Sequence, residues 1–396
     1  TYPKATAHKG VEDTIPNILC ATTNDRYMAF KSHIRQTFAH RGSVLFIVPT
    51  SGLVEQVKKK LEIGIENRIV TFSSVHTKRQ IDAAYAAFED LRHAKLIIAT
   101  PAFAFLERHD ITTIIIEAAG SEHYRIRNRP YLDAREALKI YAKQTGRSII
   151  LADTVVKTED EIKRRDDLYG TYGEPAARLD IQGVIKAVKH KKIEGDEIFS
   201  LCTDELQEEI ERSLATRGQI FLHAARRGLA PAVICYDCGY IFRCPDSGAP
   251  YSLLRTYTAT GEEERWFFSS TSGKRVRAAD TCPQCGSWRL REHGIGIQYI
   301  YDQITKLFPK IEVFLFDHTT ATTHLKAKKI IDKFYESKRS ILIGTNMALP
   351  YLSKPVDLCA IISYEATRAL PTWRAEETIF SLLVRLREIA LKDVIV

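Results

Sequence analysis

The chain has 396 residues, a formal net charge of +8, 45% hydrophobic residues and 27% charged residues, as is typical of a globular protein of two or three domains. No apolar run approaches the roughly 20 residues of a membrane helix and no signal peptide opens the sequence, so we expect no membrane partner. Four of the eight cysteines are scattered, which suits a reducing compartment and predicts a cytoplasmic location, and the modest positive charge permits nucleic-acid binding without requiring it.

The first part of the chain alternates short apolar strands with amphipathic helices. The predicted strands are 18–21, 44–48, 69–72, 96–99, 113–116 and 148–151, and the predicted helices are 30–40, 53–61, 80–91 and 134–143. Buried strands that alternate with helices indicate a parallel sheet covered on both faces. The pattern predicts a first α/β lobe over residues 1–155, and the charged, less periodic stretch 156–203 predicts a linker with one or two helices.

A second alternating set begins near Asp204 and continues to the end of the sequence. Its predicted helices are 204–215, 297–307, 323–335 and 372–387, and its predicted strands are 219–223, 311–316, 340–343 and 358–363. A polar, cysteine-rich stretch interrupts this set. We therefore predict a second α/β lobe made of 204–234 and 293–396, with an insert at 235–292.

The insert opens and closes on two cysteine pairs of the same spacing. Cys235 and Cys238 form one CxxC turn, Cys282 and Cys285 form the other, and a glycine follows each turn. Such turns place four thiolates around one tetrahedral Zn²⁺, and the glycine permits the tight backbone. The alternatives are unrelated buried cysteines and a redox CxxC, and a redox CxxC normally stands alone beside a βαβ pattern. We predict a zinc site formed by these four cysteines.

Inside the insert, the same spacing recurs with most cysteines missing. Cys244 and Ser247 occupy one pair of positions, and Ser269 and Ser272 occupy the other. A serine hydroxyl stays protonated at neutral pH and is a poor zinc ligand. We therefore predict one Zn²⁺ per chain and a free Cys244.

Several segments outside the cysteine turns carry a family resemblance. They are 44–49, 97–100 and 129–135 in the first lobe, and 219–231, 294–296, 308–309, 316–320, 341–347 and 374–376 in the second. With them the chain resembles the PriA family of primosomal replication-restart DNA helicases along essentially its whole length. The resemblance implies two RecA-like lobes of the P-loop NTPase type, with a zinc-binding insert in the second. In that family four outer cysteines bind one zinc and four inner cysteines bind another, so it also implies that the inner zinc is lost here.

The resemblance identifies where a phosphate-binding loop would lie. The family has Gly-Ser-Gly-Lys-Thr where this chain reads Thr23-Asn-Asp25-Arg26-Tyr27. Side chains in place of glycine crowd the backbone that must approach a phosphate, and Asp25 adds negative charge there. Tyr27 offers no aliphatic hydroxyl to Mg²⁺. Arg26 could still contact a phosphate, but a solvated loop arginine is the interpretation that we favour.

The carboxylates of the family's ATP site are also altered. Where the family has Asp-Glu-Glu-His, this chain has Glu117-Ala118-Ala119-Gly120. Glu117 can stand in for the residue that binds Mg²⁺, but Ala118 cannot orient water. The coupling segment at 151–155, the residues after Met347 and the arginine-finger region at 384–388 depart from the pattern as well. Because five elements change together, we predict that ATP and Mg²⁺ binding is lost and that Arg26 and Glu117 are remnants of the site.

The predicted function is that of a PriA-like replication-restart protein that binds forked or single-stranded DNA as an ATPase-inactive, helicase-like module, with replication-restart proteins as partners. One alternative is an active ATP-dependent 3′→5′ DNA helicase, and another is a zinc-ribbon interaction scaffold without DNA binding. The candidate DNA contacts in the insert are Arg243, Lys274, Arg275 and Arg277, the alternative being ordinary solvated charge. The sequence has no initiating Met and ends on an apolar run, so we expect a fragment of a longer protein.

Overall fold

The computed structural model describes residues 15–126, 131–173, 181–188, 203–224, 232–258, 262–269, 272–293, 297–362, 364 and 374–396. The chain divides into two compact units, Thr1–Ile181 and Gln182–Val396. No helix in the described part of the chain is both long and apolar enough to cross a membrane.

The first unit is a parallel seven-stranded sheet with helices on both faces, as predicted. Its elements in chain order are β1 (Asn17–Cys20), α1 (Thr23–Ala39), β2 (Ser43–Ile47), α2 (Ser51–Leu61), β3 (Ile69–Phe72), α3 (Lys78–Glu89), β4 (Leu96–Ala99), β5 (Ile111–Glu117), α4 (Ala134–Thr145), β6 (Ser148–Asp153), α5 (Thr158–Arg165) and β7 (Gly170–Thr171). The strand order is β3-β4-β2-β5-β6-β1-β7. Along β2, Leu45 and Ile47 join one buried apolar cluster while Val44 and Phe46 join the other. Alternate residues of a strand point to opposite faces, so both faces are covered.

The second unit combines a parallel sheet with a small antiparallel insert. Its elements in chain order are β8 (Val184–Lys186), α6 (Asp204–Ala215), β9 (Gln219–His223), β10 (Ala232–Cys235), β11 (Ser252–Tyr257), β12 (Glu263–Phe268), β13 (Arg275–Arg277), β14 (Leu290–His293), α7 (Ile297–Leu307), β15 (Glu312–Phe316), α8 (His324–Glu336), β16 (Ser340–Gly344), β17 (Val356–Ile361), α9 (Ala375–Ile389) and β18 (Ala390–Ile395). The parallel sheet has the order β15-β16-β9-β17-β18-β8. It is the second α/β lobe that the sequence predicts.

The insert is built from β10 to β14. Strands β10 and β14 pair with each other, and β11, β12 and β13 form a three-stranded antiparallel sheet. A separate apolar cluster, which includes Phe242, Tyr251 and Phe267, fills its centre. The side-chain amide of Gln298 on α7 exchanges two hydrogen bonds with the backbone of Arg255, at 3.3 and 3.4 Å, and so ties the insert to the lobe.

Two segments differ from the sequence-based prediction. Helix α1 begins at Thr23 rather than at residue 30, because the Thr22 hydroxyl accepts the backbone N–H of Asp25 and caps the helix. The stretch 156–203, predicted as a linker, contributes to both units. Within it, α5 and β7 belong to the first unit, β7 pairing with β1, whereas β8 joins the sheet of the second.

Candidate functional site

The four outer cysteines converge as the sequence predicts. Their sulfur atoms all lie within 4.8 Å of one another. Cys235 Sγ is 3.5 Å from Cys285 Sγ, and Cys238 Sγ is 3.6 Å from Cys282 Sγ. An ideal tetrahedron with Zn–S bonds of 2.3 Å has sulfur separations of about 3.8 Å. The four thiolates could therefore hold one tetrahedral metal ion such as Zn²⁺ with little rearrangement.

The turns that carry these cysteines are closed by their glycines. Gly239 has φ +73° and Gly286 has φ +72°, a left-handed conformation in which a side chain would be strained. The backbone N–H of each glycine donates to the carbonyl of the first cysteine of its turn, at 3.0 Å for Cys235 and 2.8 Å for Cys282. The two turns therefore have the same geometry, and each aims its thiol groups at the shared centre.

A second set of four side chains meets at the inner positions, which we call the inner cluster: Cys244, Ser247, Ser269 and Ser272. Cys244 Sγ lies 3.3 Å from Ser272 Oγ, and Ser247 Oγ lies 3.2 Å from Ser269 Oγ. The glycines that follow have φ values of +66° and +74°, and their N–H groups again donate back across the turn, both at 2.8 Å. The inner cluster thus keeps the backbone of a four-ligand site, with three hydroxyls in place of thiols.

Cys244 is a free and fully buried cysteine in the apolar cluster of the insert. Burial by itself would raise the pKa of its thiol. Hydrogen bonds from the hydroxyls of Ser272 and Ser247, and from nearby backbone N–H groups, outweigh burial and lower that pKa to about 6. The hydroxyls of the inner cluster are thus hydrogen-bond partners of the Cys244 sulfur and of one another.

In the first unit, Arg26 is not a solvated loop residue, and that prediction is wrong. The side chains of Arg26 and Glu117 are each only 5% exposed and form a bidentate ion pair, Nη2 to Oε1 at 2.8 Å and Nε to Oε2 at 3.2 Å. Arg26 Nη1 also donates to the Ala21 carbonyl at 2.8 Å and to the Thr154 hydroxyl at 2.6 Å. The two predicted remnants are thus brought together, but their charges are directed at each other.

The residues beside Arg26 are helical rather than a phosphate-binding loop. Thr22 donates its hydroxyl to the Asp25 carboxylate at 2.7 Å and accepts the Asp25 backbone N–H at 3.3 Å. Tyr27 is buried against Phe30, with ring centroids 5.7 Å apart, and Lys60 lies over its ring. Burial raises the pKa of the Tyr27 phenol, so its hydroxyl stays protonated. These side chains serve the helix cap and the apolar core.

Glu117 ends β5, where the chain makes a fixed turn. Ala118 follows with φ +51°. The buried Tyr124 hydroxyl donates toward the carbonyls of Glu117 and Ile47 at 2.6 and 3.0 Å, and Asp153 accepts the backbone N–H of Gly120 at 2.8 Å. Asp153 and Thr154 belong to the altered coupling segment at 151–155, and they lie at the end of β6, at this same edge of the sheet. Tyr124 was not among the predicted site residues.

The insert's basic side chains are largely compensated. Lys274 pairs with Asp246 at 3.1 Å, and Arg243 donates to the Gly248 carbonyl at 3.0 Å. Other pairs are Arg255–Glu263, Arg265–Asp280 and Arg289–Asp237. Arg275 lies over the Trp266 ring at 4.3 Å, and Arg277 stands opposite Trp266 in the ladder. Of the four predicted contacts, Arg275 and Arg277 share one face of β13, since they are two residues apart.

Some motif residues lie outside the described part of the chain, namely those at 129–130, 225–231 and 294–296. In the arginine-finger region, Arg387 of α9 donates from Nε to the Gly183 carbonyl at 2.6 Å. That contact gives Arg387 a structural role within the second unit.

The chain is similar in sequence to replication restart proteins of several bacteria. No family model matches the chain. It is 23% identical to the replication restart protein PriA of Bacillus subtilis (strain 168) over 355 residues, which is 89% of this chain and 43% of that protein. It is 22% identical to PriA of Haemophilus influenzae over 359 residues, or 90% and 48% of the two chains, and 23% identical to PriA of Rickettsia prowazekii over 379 residues, or 94% and 57%. The chain therefore spans about half the length of the curated relatives it matches.

Solved structures show the same fold at lower identity. The DUF1998 helicase MrfA bound to DNA and AMPPNP matches with a TM-score of 0.53 and 11% identity, over 96% of this chain and 45% of that one. Mss116p bound to ssRNA and AMP-PNP matches with a TM-score of 0.50 and 12% identity, over 98% and 66%. The parallel-sheet fold of the two α/β units thus resembles that of the RecA-like lobes of helicases.

Proposed function

Because this chain belongs to the PriA family as a divergent member, we propose that it acts on DNA in replication restart as a nucleic-acid-binding module that does not hydrolyse ATP. We further propose that it binds forked or single-stranded DNA in the cytoplasm, together with other replication-restart proteins. The buried ion pair between Arg26 and Glu117 is the observation that supports the absence of ATP hydrolysis.

The ion pair opposes phosphate binding for an electrostatic reason. A phosphate-binding loop offers an uncompensated cation and several free backbone N–H groups. The Arg26 guanidinium instead donates its hydrogen bonds to the Glu117 carboxylate, the Ala21 carbonyl and the Thr154 hydroxyl. The Asp25 carboxylate stands beside it, and the Asp25 N–H is already used by the helix cap. A phosphate would have to displace a buried carboxylate and approach a second one.

The same pair opposes Mg²⁺ binding. Glu117 is the one carboxylate left in the altered motif, and both of its oxygens accept from Arg26. Mg²⁺ demands near-ideal octahedral oxygen ligands, so it would have to compete with a bidentate guanidinium. Ala118 then supplies no carboxylate to orient an attacking water. Binding and chemistry are both disfavoured at this edge of the sheet.

We propose that the outer cysteines hold one Zn²⁺ and that this ion stabilises the insert. The near-tetrahedral sulfur spacing supports the site, and four thiolates are a donor set that suits zinc. DNA binding is supported by the family and by the helicase-type lobes. In the insert we propose contacts from Arg243, Lys274, Arg275 and Arg277. Because Lys274 is already paired with Asp246, its contribution should be smaller than those of the two arginines on β13.

Two measurements on the same preparation test the proposal. The first is calorimetry with ATP and Mg²⁺, with and without forked DNA, together with a DNA-stimulated ATPase assay that uses B. subtilis PriA as the positive control. We expect neither heat nor turnover from this chain. Micromolar ATP binding, or turnover that Arg26→Ala abolishes, would restore the alternative of an active helicase.

The second measurement is binding of labelled forked DNA. We expect salt-dependent binding, because phosphate contacts release counterions. A chain that retains its zinc but binds no DNA at low salt would instead support the scaffold without DNA binding.

A further inference from the structure

The outer cysteine turns carry an exposed group of side chains that the zinc site itself does not require. We call it the aromatic tip: Tyr236, Trp288 and Arg289. Trp288 is 79% exposed and Tyr236 is 59% exposed. Trp is usually well buried even where it keeps a wet edge, so exposure of this extent implies that the ring is available to a partner.

Two members of the aromatic tip, Tyr236 and Arg289, are held in a fixed arrangement beside Trp288 in the sequence. The Tyr236 backbone N–H donates to the Arg289 carbonyl at 2.9 Å, which places the two cysteine turns side by side. The Arg289 guanidinium lies over the Tyr236 ring, 4.2 Å from its centroid. Asp237 binds that guanidinium at 2.9 Å and also accepts the Ser287 hydroxyl at 2.5 Å. Flat groups that are already oriented lose little entropy when a ligand stacks on them.

The composition of the tip favours bases over an apolar protein surface. Among the described residues of the insert, the large apolar side chains that are exposed are Tyr236, Tyr257 and Trp288, and none is aliphatic. Stacking on aromatic rings and on an arginine plane is how proteins bind unpaired bases without reading their sequence. Asp237 neutralises Arg289, so the tip has little attraction for the phosphates of a duplex.

From these observations we propose that the aromatic tip binds single-stranded nucleic acid by stacking unpaired bases on Trp288 and Tyr236. The proposal rests on the proposed function, since it assumes that the chain binds DNA. It goes beyond that function because it proposes that the outer cysteine turns make the chain prefer single-stranded over double-stranded DNA. The basic side chains of the insert would supply only the salt-dependent part of the affinity.

The test compares a labelled oligo(dT) of about 20 nucleotides with a duplex of similar length, using anisotropy on the full zinc-loaded chain. Trp288→Ala and Tyr236→Ala should each weaken oligo(dT) binding by about 5- to 150-fold, the usual worth of one stacked base. Duplex affinity should change by less than about twofold, because paired bases cannot stack on the tip. Trp288→Phe should recover part of the loss. Leu325→Ala, which alters an exposed apolar residue on α8, is the matched control.

Salt dependence and zinc content identify the cause of any loss. Stacking releases no counterions, so the variants should keep the parental slope of log affinity against log salt concentration. Each variant should also retain its zinc, which excludes unfolding of the turns. Unchanged oligo(dT) binding, or equal losses of affinity for oligo(dT) and duplex, would overturn the stacking proposal. The aromatic tip would then be a candidate contact surface for a protein partner. A parent chain that binds neither DNA would instead overturn the proposed function itself.

Discussion

Replacing Glu117 by Gln should destabilise the first unit strongly. Glutamine keeps the volume of the side chain but removes the charge that compensates Arg26, whose side chain is 5% exposed. Breaking a buried ion pair by removing one partner costs about 3–5 kcal/mol. Glutamine still offers one acceptor oxygen, and Arg26 keeps its bonds to Ala21 and Thr154, so we expect the lower end, about 3 kcal/mol. In a unit of this size that loss lowers the Tm by roughly 6–12 °C.

A matched control and a double variant show whether the loss of stability comes from the unpaired charge of Arg26. Glu122→Gln removes a half-exposed carboxylate from the same unit and should cost less than about 1 kcal/mol. Arg26→Met combined with Glu117→Leu removes both charges, and replacing a whole buried pair by apolar groups is often neutral. We expect the double variant to be more stable than Glu117→Gln, although the Ala21 carbonyl loses its donor.

The assay must report on the first unit alone. All three tryptophans of the chain lie after residue 182, so tryptophan fluorescence follows the second unit. Hydrogen exchange of the amides of β1 and β5 follows the first and should quicken in Glu117→Gln. If Glu117→Gln were no more destabilising than Glu122→Gln, the ion pair would not be a structural element, and the argument against nucleotide binding would fail with it.

Three further outcomes are expected. Elemental analysis should find one zinc per chain, and two zincs in the parent would contradict this. Cys238→Ser should lose the zinc and unfold the insert, while hydrogen exchange in the first unit stays unchanged. Replacing the three serines of the inner cluster by cysteine should create a second tetrahedral site. The variant should then bind two Co²⁺ ions per chain, with thiolate charge-transfer absorption. Binding of only one ion would mean that the inner turns cannot hold four thiolates around a metal. Removing Lys274, Arg275 and Arg277 together should reduce the salt slope of DNA binding by about 2–3, and an unchanged slope would exclude this surface from the interface.

The parts of the fold that depend on short-range pattern were predictable from sequence. Apolar strands alternating with helices identified both sheets, and the CxxC spacing identified all four outer cysteines, because each pair is set by one local turn. The state of Arg26 was not predictable in this way, since its partner Glu117 is 91 residues away. One clue existed. Glu117 ends β5, and Arg26 lies in the first turn of the helix that follows β1. Both are therefore at the carboxyl edge of the parallel sheet, and two opposite charges placed there should have been considered as a pair.

The electrostatics of the insert could not be judged from sequence for a related reason. The sequence displays its arginines, but their partners are set by strand register and by the packing of turns. Arg265, for example, pairs with Asp280 at 3.6 Å, and Arg289 pairs with Asp237 across the two cysteine turns. A count of arginines therefore overstates the positive surface of the insert, and exposure of Trp288 is the more specific signal of an interface.

The residues at 23–27 and Glu117, which differ from the family's nucleotide-site pattern, pack locally as a helix cap, a buried ion pair and part of the core. A lysine at position 26 would be a point charge that cannot pair with both oxygens of the buried Glu117 carboxylate at once. The planar guanidinium of Arg26 does pair with both. Once that pair forms, glycine is no longer needed at the start of α1, and Thr22 and Asp25 can cap the helix instead. The buried Tyr27 ring then fills apolar space at the same helix. Under the proposed function this edge of the sheet does not bind nucleotide and is packed as core. Arg26→Lys alone should therefore quicken hydrogen exchange in β1 and β5, while calorimetry with ATP and Mg²⁺ should still show no binding; micromolar ATP binding by this variant would contradict the reasoning.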